Sequence, residues 1–331
     1  MNEFNRKAVA LLSGGLDSTL AICIVKEQGV EIEAVNIQTM FGCCKDDAGQ
    51  TAQRLEVGFT LLKAGDDYLK TVEKPKYGYG RGMNPCVDCR IYMFEMAREF
   101  MDRTGASFLI TGEVLDQRPM SQKRKDFDAI EHETALTGRI VRPLSAKQLP
   151  ETGPEKAGIL DRSQLYGIVG RSRRKLLMLA EKYGIENPPH PSAGCALTSP
   201  GFAKKVRDVF EHQPRYERWE FEILRRGRHF RITPESKVIV GRNLNDNEYF
   251  EYLHPPGTTL LSCVNFAGPH ALVTGDPQPE ALNRVGRVLL RYAQKPLPER
   301  CEIRAEKDGL CWTFETGEQE TPAVLETLRI V

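Results

Sequence analysis

The residues best suited to chemistry form the run Ser13-Gly14-Gly15-Leu16-Asp17-Ser18. An apolar stretch precedes it and a segment with helical periodicity follows, so the two glycines stand at a strand-to-helix turn. Such a turn points backbone N–H groups and the positive end of a helix at one place, where an anion is stabilised. Ser13 and Ser18 add hydroxyl donors, and Asp17 adds a carboxylate. The run predicts a phosphate site, although two glycines here can also form no more than a tight turn.

Three of the nine cysteines form a second group of candidates. Cys86 and Cys89 lie three residues apart at the predicted start of a helix, so we expect both thiols on one side with a lowered pKa. Cys195 lies in the turn-like segment Ser192-Ala-Gly-Cys. Three thiolates with one open position fit a [4Fe–4S] cluster, whereas zinc would need a fourth protein ligand. Without a metal, Cys89 and Cys195 could form a nucleophile and persulfide pair, and each cysteine could also be a small packing residue.

Strands and helices alternate around these residues. Short apolar runs predict strands, and helical periodicity predicts two helices, one ending at Gly29 and another between Cys86 and Gly105. The Gly- and Pro-rich segment 74–85 is expected to be an irregular, mobile loop. The pattern predicts an α/β domain with a doubly wound parallel sheet and its ligands at the carboxyl ends of the strands. Thr111 and Gly112 should then lie beside the phosphate turn. The predicted strands cover residues 7–12, 31–37, 59–62 and 107–110.

The character of the chain changes near Gln213-Pro214. Short alternating segments and one long helix, 279–293, follow, which predicts a smaller C-terminal α+β domain. We therefore expect an α/β domain over 1–213 and an α+β domain over 214–331.

Composition argues against a strongly basic protein, a disulfide-stabilised protein and a membrane-spanning protein. A net charge of +1 over 331 residues leaves nucleic-acid binding to local patches. The odd number of cysteines, unevenly spaced, indicates thiols or metal ligands in a reducing compartment. We see no apolar run long enough for a membrane span and no targeting signal, so a cytoplasmic protein without a membrane partner is expected.

The phosphate run matches at every position the Ser-Gly-Gly-x-Asp-Ser signature of the PP-loop ATP pyrophosphatase superfamily, and so resembles its HUP-like adenine nucleotide alpha hydrolase fold. The resemblance implies that AMP is transferred from ATP to an acceptor with release of pyrophosphate. Ser13, Gly14, Gly15 and Ser18 would hold the phosphates, Asp17 would position Mg²⁺, and Thr111 and Gly112 would complete the nucleotide site.

Two further segments narrow the resemblance to tRNA thiolation. Residues 84–90, Asn-Pro-Cys-Val-Asp-Cys-Arg, resemble the cysteine segment of the bacterial tRNA 2-thiouridylases. Residues 110–122 resemble the T-G-E-x-x-G-Q-x-x-S-Q segment of the tRNA 4-thiouridine synthases, as does Arg142-Pro-Leu, but Asp116 and residues 118–120 depart from the usual Gly and Val-Ala. Neither the N-terminal tRNA-binding module nor the C-terminal rhodanese domain of those synthases fits this chain, so we expect no sulfur carrier within it.

The C-terminal part resembles the RNA-binding NFACT-R domain over residues 230–274. The cues are Ile239-Val-Gly-Arg-Asn243, Asn247, Pro256-Gly-Thr258 and Gly268-Pro-His-Ala271. Two segments with interleaved basic and aromatic residues, 215–219 and 225–231, suit phosphate contact and base stacking, or else form a solvated face.

Together these patterns predict an ATP-dependent tRNA sulfurtransferase that adenylates a uridine carbonyl oxygen and replaces it with sulfur. Asp17, Cys89 and Cys195 would be catalytic, and Cys86, Cys89 and Cys195 would hold a [4Fe–4S] cluster. A sulfide or persulfide donor would supply the sulfur. The resemblance favours 4-thiouridine at position 8 and leaves 2-thiouridine possible. The alternatives are a PP-loop amide or nitrile synthetase for a small molecule, and a non-catalytic RNA-binding factor that senses ATP.

Overall fold

The computed structural model describes residues 4–42, 47–188 and 194–330. Cys43, Cys44, Ser192 and Ala193 lie outside these residues. The chain folds as two compact units, Met1–Thr198 and Ser199–Val331. The division therefore precedes the helix Pro200–His212, whereas the sequence placed it after that helix, at 213/214.

The first unit is built on a five-stranded parallel sheet with the order β3-β2-β1-β4-β5. The chain moves outward from β1 to β3 on one side and then crosses to β4 and β5 on the other. The order therefore reverses between β1 and β4, which is where doubly wound folds bind their ligands. The predicted doubly wound parallel sheet is confirmed. Its strands are β1 (Lys7–Leu11), β2 (Glu31–Gln38), β3 (Gly58–Lys63), β4 (Phe108–Thr111) and β5 (Ile140–Val141).

Helices cover both faces of this sheet because its strands are apolar on both sides. In β1, Ala8 and Ala10 pack in one buried cluster, while Val9 and Leu11 pack in another. The first cluster includes residues of α1, and the second includes residues of α4 and α5. The helices of the unit are α1 (Leu16–Lys26), α2 (Asp47–Arg54), α3 (Tyr68–Glu73), α4 (Cys86–Thr104), α5 (Arg124–Glu133), α6 (Gly153–Lys156) and α7 (Arg174–Lys182).

The segment 74–85 is attached to its surroundings, contrary to the expected mobile loop. The carboxylate of Asp88, between the two cysteines of α4, accepts the backbone N–H groups of Lys76 at 2.7 Å and Tyr77 at 3.1 Å. The Tyr79 hydroxyl donates to Val72 O at 2.7 Å. These bonds fix the approach of the chain to the cysteine-bearing end of α4.

The second unit contains a six-stranded antiparallel sheet with the order β11-β10-β8-β9-β7-β6. Residues of α11 and α12 pack on one face, and Phe250 of α10 packs on the other. The predicted α+β character is confirmed. The strands are β6 (Arg228–Arg231), β7 (Lys237–Val240), β8 (Thr259–Cys263), β9 (Ala271–Thr274), β10 (Cys301–Lys307) and β11 (Leu310–Thr316). The helices are α8 (Pro200–His212), α9 (Arg218–Glu222), α10 (Leu244–Leu253), α11 (Pro279–Tyr292) and α12 (Pro322–Leu328).

Within the described ranges, short 3₁₀ helices also occur, and they lie at Ala146–Gln148, Arg162–Gln164, Ala196–Thr198 and Ile223–Arg225. No helix in the part of the chain that the structure describes combines the length and apolar character needed to cross a membrane.

Gly112 marks a close approach between two elements of the first unit. A Cβ at this position would lie 2.4 Å from the backbone of both Asp17 and Ser18, at the start of α1. Only glycine lets the end of β4 approach that helix so closely.

Gly112→Ala should therefore lower the free energy of unfolding of the first unit by about 1–3 kcal/mol, because backbone atoms must separate to admit the methyl group. Hydrogen exchange of β1 and β4 peptides in denaturant measures the effect within this unit. Both tryptophans, Trp219 and Trp312, lie in the second unit and would not report it.

The matched control is Gly49→Ala in α2, where a Cβ meets only an ordinary contact of 3.5 Å with the Phe59 ring. It should raise stability by about 0.4–1 kcal/mol, because alanine reduces the freedom of the unfolded chain. Equal stability of Gly112→Ala and the parent protein would contradict the close approach.

Candidate active site

The turn between β1 and α1 has the geometry of an anion cradle. Gly14 has φ +74°, a left-handed conformation that favours glycine. Ser18 Oγ donates to Gly15 O at 2.9 Å and lies 3.2 Å from Ser13 Oγ, which closes the turn. Gly15 occupies the cap position of α1 and has no side chain to satisfy the first N–H groups of the helix. Those donors suit a phosphate.

Asp17 is held in place by a residue of another loop. Gln117 Nε2 donates to Asp17 Oδ2 at 2.9 Å. Burial raises the pKa of the Asp17 carboxyl, and the hydrogen bond from Gln117 and the positive charges of Arg173 and Arg118 oppose this rise. A single carboxylate beside bound phosphates is a common arrangement for Mg²⁺. Asp17 therefore fits a role in holding Mg²⁺ together with ATP.

The phosphate turn and the three cysteines open into adjoining cavities at the carboxyl edge of the sheet. One cavity is lined by Ser13, Asp17, Ser18, Thr111 and Gly112, among others. The other is lined by Cys86, Cys89 and Cys195, together with Asn84 and Ser121. Both cavities share the lining residues Ser13, Asn36, Ile37, Arg90, Met93 and Arg118. Residues far apart in sequence are thus brought to one cleft.

The pKa of the Cys86 and Cys89 thiols is raised and not lowered, contrary to the expectation from the helix N-terminus. Burial raises the pKa of both the Cys86 and the Cys89 thiols, and this effect outweighs the positive charge of Arg90. The Tyr68 hydroxyl donates to Cys89 Sγ at 3.2 Å. The Cys195 thiol donates to Phe41 O at 3.5 Å.

The three cysteines do not form a preassembled metal site in the described part of the chain. Within 4–42, 47–188 and 194–330, no group of three or more His, Cys, Asp or Glu side chains is placed to hold a metal ion. Cys86, Cys89 and Cys195 share a cavity, but their ligand role stays a prediction.

The sequence reasoning missed the contacts of several residues in and beside the cleft. Tyr68 is buried, and it meets Cys89 only through the packing of α3 on α4, for which the sequence carries no signal. Glu113 is 2% exposed and faces two guanidinium groups, with Arg142 Nε at 3.2 Å and Arg90 Nε at 3.6 Å. For Glu113, the resemblance of Thr111-Gly112-Glu113 to the 4-thiouridine synthase segment could have indicated a role in the site. Asp116 adopts φ +61°, so it takes the conformation that the usual glycine would provide.

In the second unit, most side chains of the segment 225–231 are buried or contact other residues of the same unit. His229 and Phe230 are fully buried, and Arg231 pairs with Asp208 at 2.7 Å. Arg226 lies over the Tyr249 ring at 3.9 Å, and Arg228 over the Tyr292 ring at 4.4 Å. The rings of His229 and Phe230, the aromatic residues of this segment, are therefore not available for base stacking.

Comparison with known proteins agrees with this geometry. Residues 6–132 match the tRNA methyl transferase HUP domain. Over these residues the first unit has the HUP-type fold, with its parallel five-stranded sheet. Residues 227–316 match the NFACT protein RNA binding domain, which covers most of the second unit's sheet.

The relatives of the HUP domain include two tRNA-specific 2-thiouridylases. MnmA of Clostridium perfringens is 32% identical over an alignment of 125 residues, and the match covers 32% of this chain and 35% of that protein. MnmA 3 of Bacteroides fragilis is 31% identical over 116 residues, 34% of this chain and 32% of that protein. The matches span about a third of the length of either relative.

Two solved structures are also similar. One is a predicted tRNA methyltransferase subunit from Methanocaldococcus jannaschii, with 16% identity, a TM-score of 0.33, and coverage of 53% of this chain and 75% of that one. The other is a 4-thiouridine synthetase in complex with RNA and ATP, with 24% identity, a TM-score of 0.34, and coverage of 54% and 51%.

The hydrogen bond from Tyr68 should be measurable in the reactivity of Cys89. Because the bond favours the thiolate, Tyr68→Phe should raise the thiol pKa further and slow alkylation of Cys89 at pH 7 by about 2- to 10-fold. Iodoacetamide labelling followed by peptide mass spectrometry measures the rate. The exposed Cys311 serves as the internal reference, and its rate should not change. Faster labelling of Cys89 in the variant would argue against this role of the hydroxyl.

Proposed function

We propose that this protein thiolates a uridine of tRNA in an ATP-dependent reaction. One observation carries the proposal: the phosphate turn and three cysteines line adjoining cavities that share six residues. A phosphate turn alone suits any use of ATP, and the thiols beside it suit sulfur transfer. The HUP domain resembles that of proteins named tRNA-specific 2-thiouridylases, which supports tRNA as the substrate.

The first step activates the base. The phosphate turn holds the β- and γ-phosphates, and Asp17 would hold Mg²⁺ with them, which would neutralise part of their charge. The uridine carbonyl oxygen attacks the α-phosphorus, so an oxygen–phosphorus bond forms and pyrophosphate leaves. The N3 proton of the base is released to solvent. The target base must leave its stack to reach the cleft. Alignment and neutralisation of phosphate charge supply the acceleration.

The second step exchanges oxygen for sulfur. A hydrosulfide ion adds to the activated ring carbon, the carbon–oxygen bond breaks, and AMP leaves with that oxygen. The proton of the hydrosulfide restores N3–H. The overall change is uridine, ATP and hydrosulfide to thiouridine, AMP and pyrophosphate. AMP is a far better leaving group than the original carbonyl oxygen, which is the purpose of the first step.

The thiols of the cleft present the sulfur. In the persulfide route, Cys89 or Cys195 carries the terminal sulfur from a persulfide donor, and the other cysteine releases it by forming a Cys89–Cys195 disulfide. A thiol reductant then returns both cysteines to thiols. This route uses only thiols that line the cavity, a persulfide donor and a thiol reductant.

A [4Fe–4S] cluster is the second candidate, since Cys86, Cys89 and Cys195 line one cavity. Thiolate donors suit such a cluster, and one iron without a protein ligand could hold sulfide. The resemblance of residues 110–122 to the 4-thiouridine synthases favours 4-thiouridine at position 8 as the product. The NFACT-R match of the second unit supports RNA binding there.

Pyrophosphate release should depend on tRNA, and Asp17→Asn should lower its rate by about 100-fold or more, because the carboxylate no longer positions Mg²⁺. A coupled phosphate assay with unmodified tRNA measures the rate, and nucleoside mass spectrometry identifies the product. The matched control is Asp102→Asn, an exposed carboxylate on α4, which should retain the parent rate. Equal pyrophosphate release without tRNA would instead support the small-molecule synthetase, and full function of Asp17→Asn would support the ATP-sensing factor.

Iron content separates the two sulfur routes. After anaerobic purification, the persulfide route predicts a colourless protein without stoichiometric iron that still thiolates tRNA, and Cys195→Ala should abolish thiolation while leaving pyrophosphate release. About four irons per chain, lost in Cys195→Ala, would favour the cluster. Cys263→Ala in the second unit is the control and should change neither measurement.

A further inference from the structure

Two arginines lie where the phosphate turn meets the cysteines. We propose that Arg90 and Arg118 form an anion clamp that holds the α-phosphate of the nucleotide. This inference rests on the proposed function and adds to it the residues that act on the reacting phosphorus.

The cysteine cavity has a positive charge that no lining residue balances. Arg90 and Arg118 are the two residues with charged side chains among the described residues that line it. Two carboxylates, Asp17 and Glu113, line only the phosphate cavity: Asp17 attracts Arg118, and Arg142 shares Glu113 with Arg90. Arg142 lines neither cavity. On the cysteine side of the cleft, an anion would therefore meet two guanidinium groups and no lining carboxylate.

The two arginines also act on each other. Partial removal from water lowers the pKa of the Arg118 guanidinium, and the positive charge of Arg90 lowers it further. Two like charges facing one cavity destabilise each other, and an anion between them removes that repulsion. Guanidinium groups bind phosphate oxygens through pairs of charge-assisted hydrogen bonds, which makes a phosphate the best-fitting anion.

The loop that carries Arg118 is tied to the phosphate turn. The preceding residue, Gln117, donates to Asp17, and Gln122 N donates to Arg118 O at 3.0 Å. Arg118 therefore has a fixed backbone beside the Asp17 carboxylate. It is also one of the positions at which this chain departs from the usual residues of the 4-thiouridine synthase segment, so its role does not follow from that resemblance.

The position of the pair identifies the phosphate. Arg90 and Arg118 belong to the six residues shared by both cavities. With the β- and γ-phosphates in the turn and the base beside the cysteines, the atom between them is the α-phosphorus. Negative charge grows on its oxygens during attack and stays on AMP as it leaves. Guanidinium groups at this place stabilise both states.

Binding of AMP and adenosine to the full chain tests the clamp, because the two ligands differ only in the α-phosphate. Calorimetry should show that Arg118→Met weakens AMP binding by about 10- to 100-fold and leaves adenosine binding unchanged. Arg118→Lys should keep part of the AMP affinity. The control is Arg103→Met, an exposed arginine at the far end of the same helix as Arg90.

The outcomes separate this inference from the proposed function. Parent protein that binds AMP, with Arg118→Met equal to it, would overturn the clamp alone. Equal loss of AMP and adenosine in Arg118→Met would also overturn it, since that pattern indicates a damaged site. Parent protein without affinity for AMP or ATP would overturn the proposed function and the clamp together.

A kinetic measurement supplies a second readout. Arg118→Met should lower kcat of tRNA-dependent pyrophosphate release by about 100-fold, in addition to a rise in KM for ATP that matches the lost AMP affinity, because the charge on the α-phosphate oxygens grows in the transition state. A change in KM with kcat unchanged would contradict a clamp on the α-phosphate.

Discussion

The contact on which the cleft depends is the approach of Gly112 to the first turn of α1. It joins the end of β4 to the backbone of Asp17 and Ser18 without a side chain between them. The loop after Gly112 starts from this contact, because the chain leaves β4 beside the phosphate turn. Gln117 then reaches Asp17, and Arg118 enters the cleft. The reversal of strand order between β1 and β4 creates the crevice, and a residue without a side chain lets its two walls meet.

Burial sets the chemical state of the groups in this crevice. It raises the pKa of Asp17, Cys86 and Cys89, although a helix N-terminus and two arginines lie nearby. A raised thiol pKa lowers the fraction of thiolate, and with it the rate of oxidation and of unspecific reaction. The same groups would gain from bound nucleotide, since phosphate neutralises the arginines and Mg²⁺ favours the ionised carboxylate of Asp17. The resting site is therefore less reactive than its residue types suggest.

Much of this arrangement could be predicted from the sequence where local chemistry decides it. The glycine turn, the parallel sheet and the helix from Cys86 to near Gly105 follow from residue type and spacing, and the Thr111-Gly112 segment was correctly placed near the turn. The missed features are tertiary. Tyr68 reaches Cys89 because α3 packs on α4, and the thiol pKa depends on burial that a sequence does not show. The segment 74–85 looked mobile because it is rich in Gly and Pro, yet one carboxylate, Asp88, fixes its start to α4.

The second unit shows why a basic and aromatic run does not by itself indicate an RNA surface. In β6, neighbouring side chains point to opposite faces of the sheet, and helices cover both faces. Phe230 therefore packs in one core, and His229 is buried as well, with its Nε2 2.7 Å from Arg226 O. Basic side chains also form ion pairs within the unit, because Asp208 pairs with both Arg231 and the buried Lys237. If this unit binds RNA, the contacts must come from side chains that remain exposed, such as Arg215 or Arg242. Substitution of those arginines should therefore change the RNA affinity, whereas substitution of the buried residues of β6 should not act through lost RNA contacts.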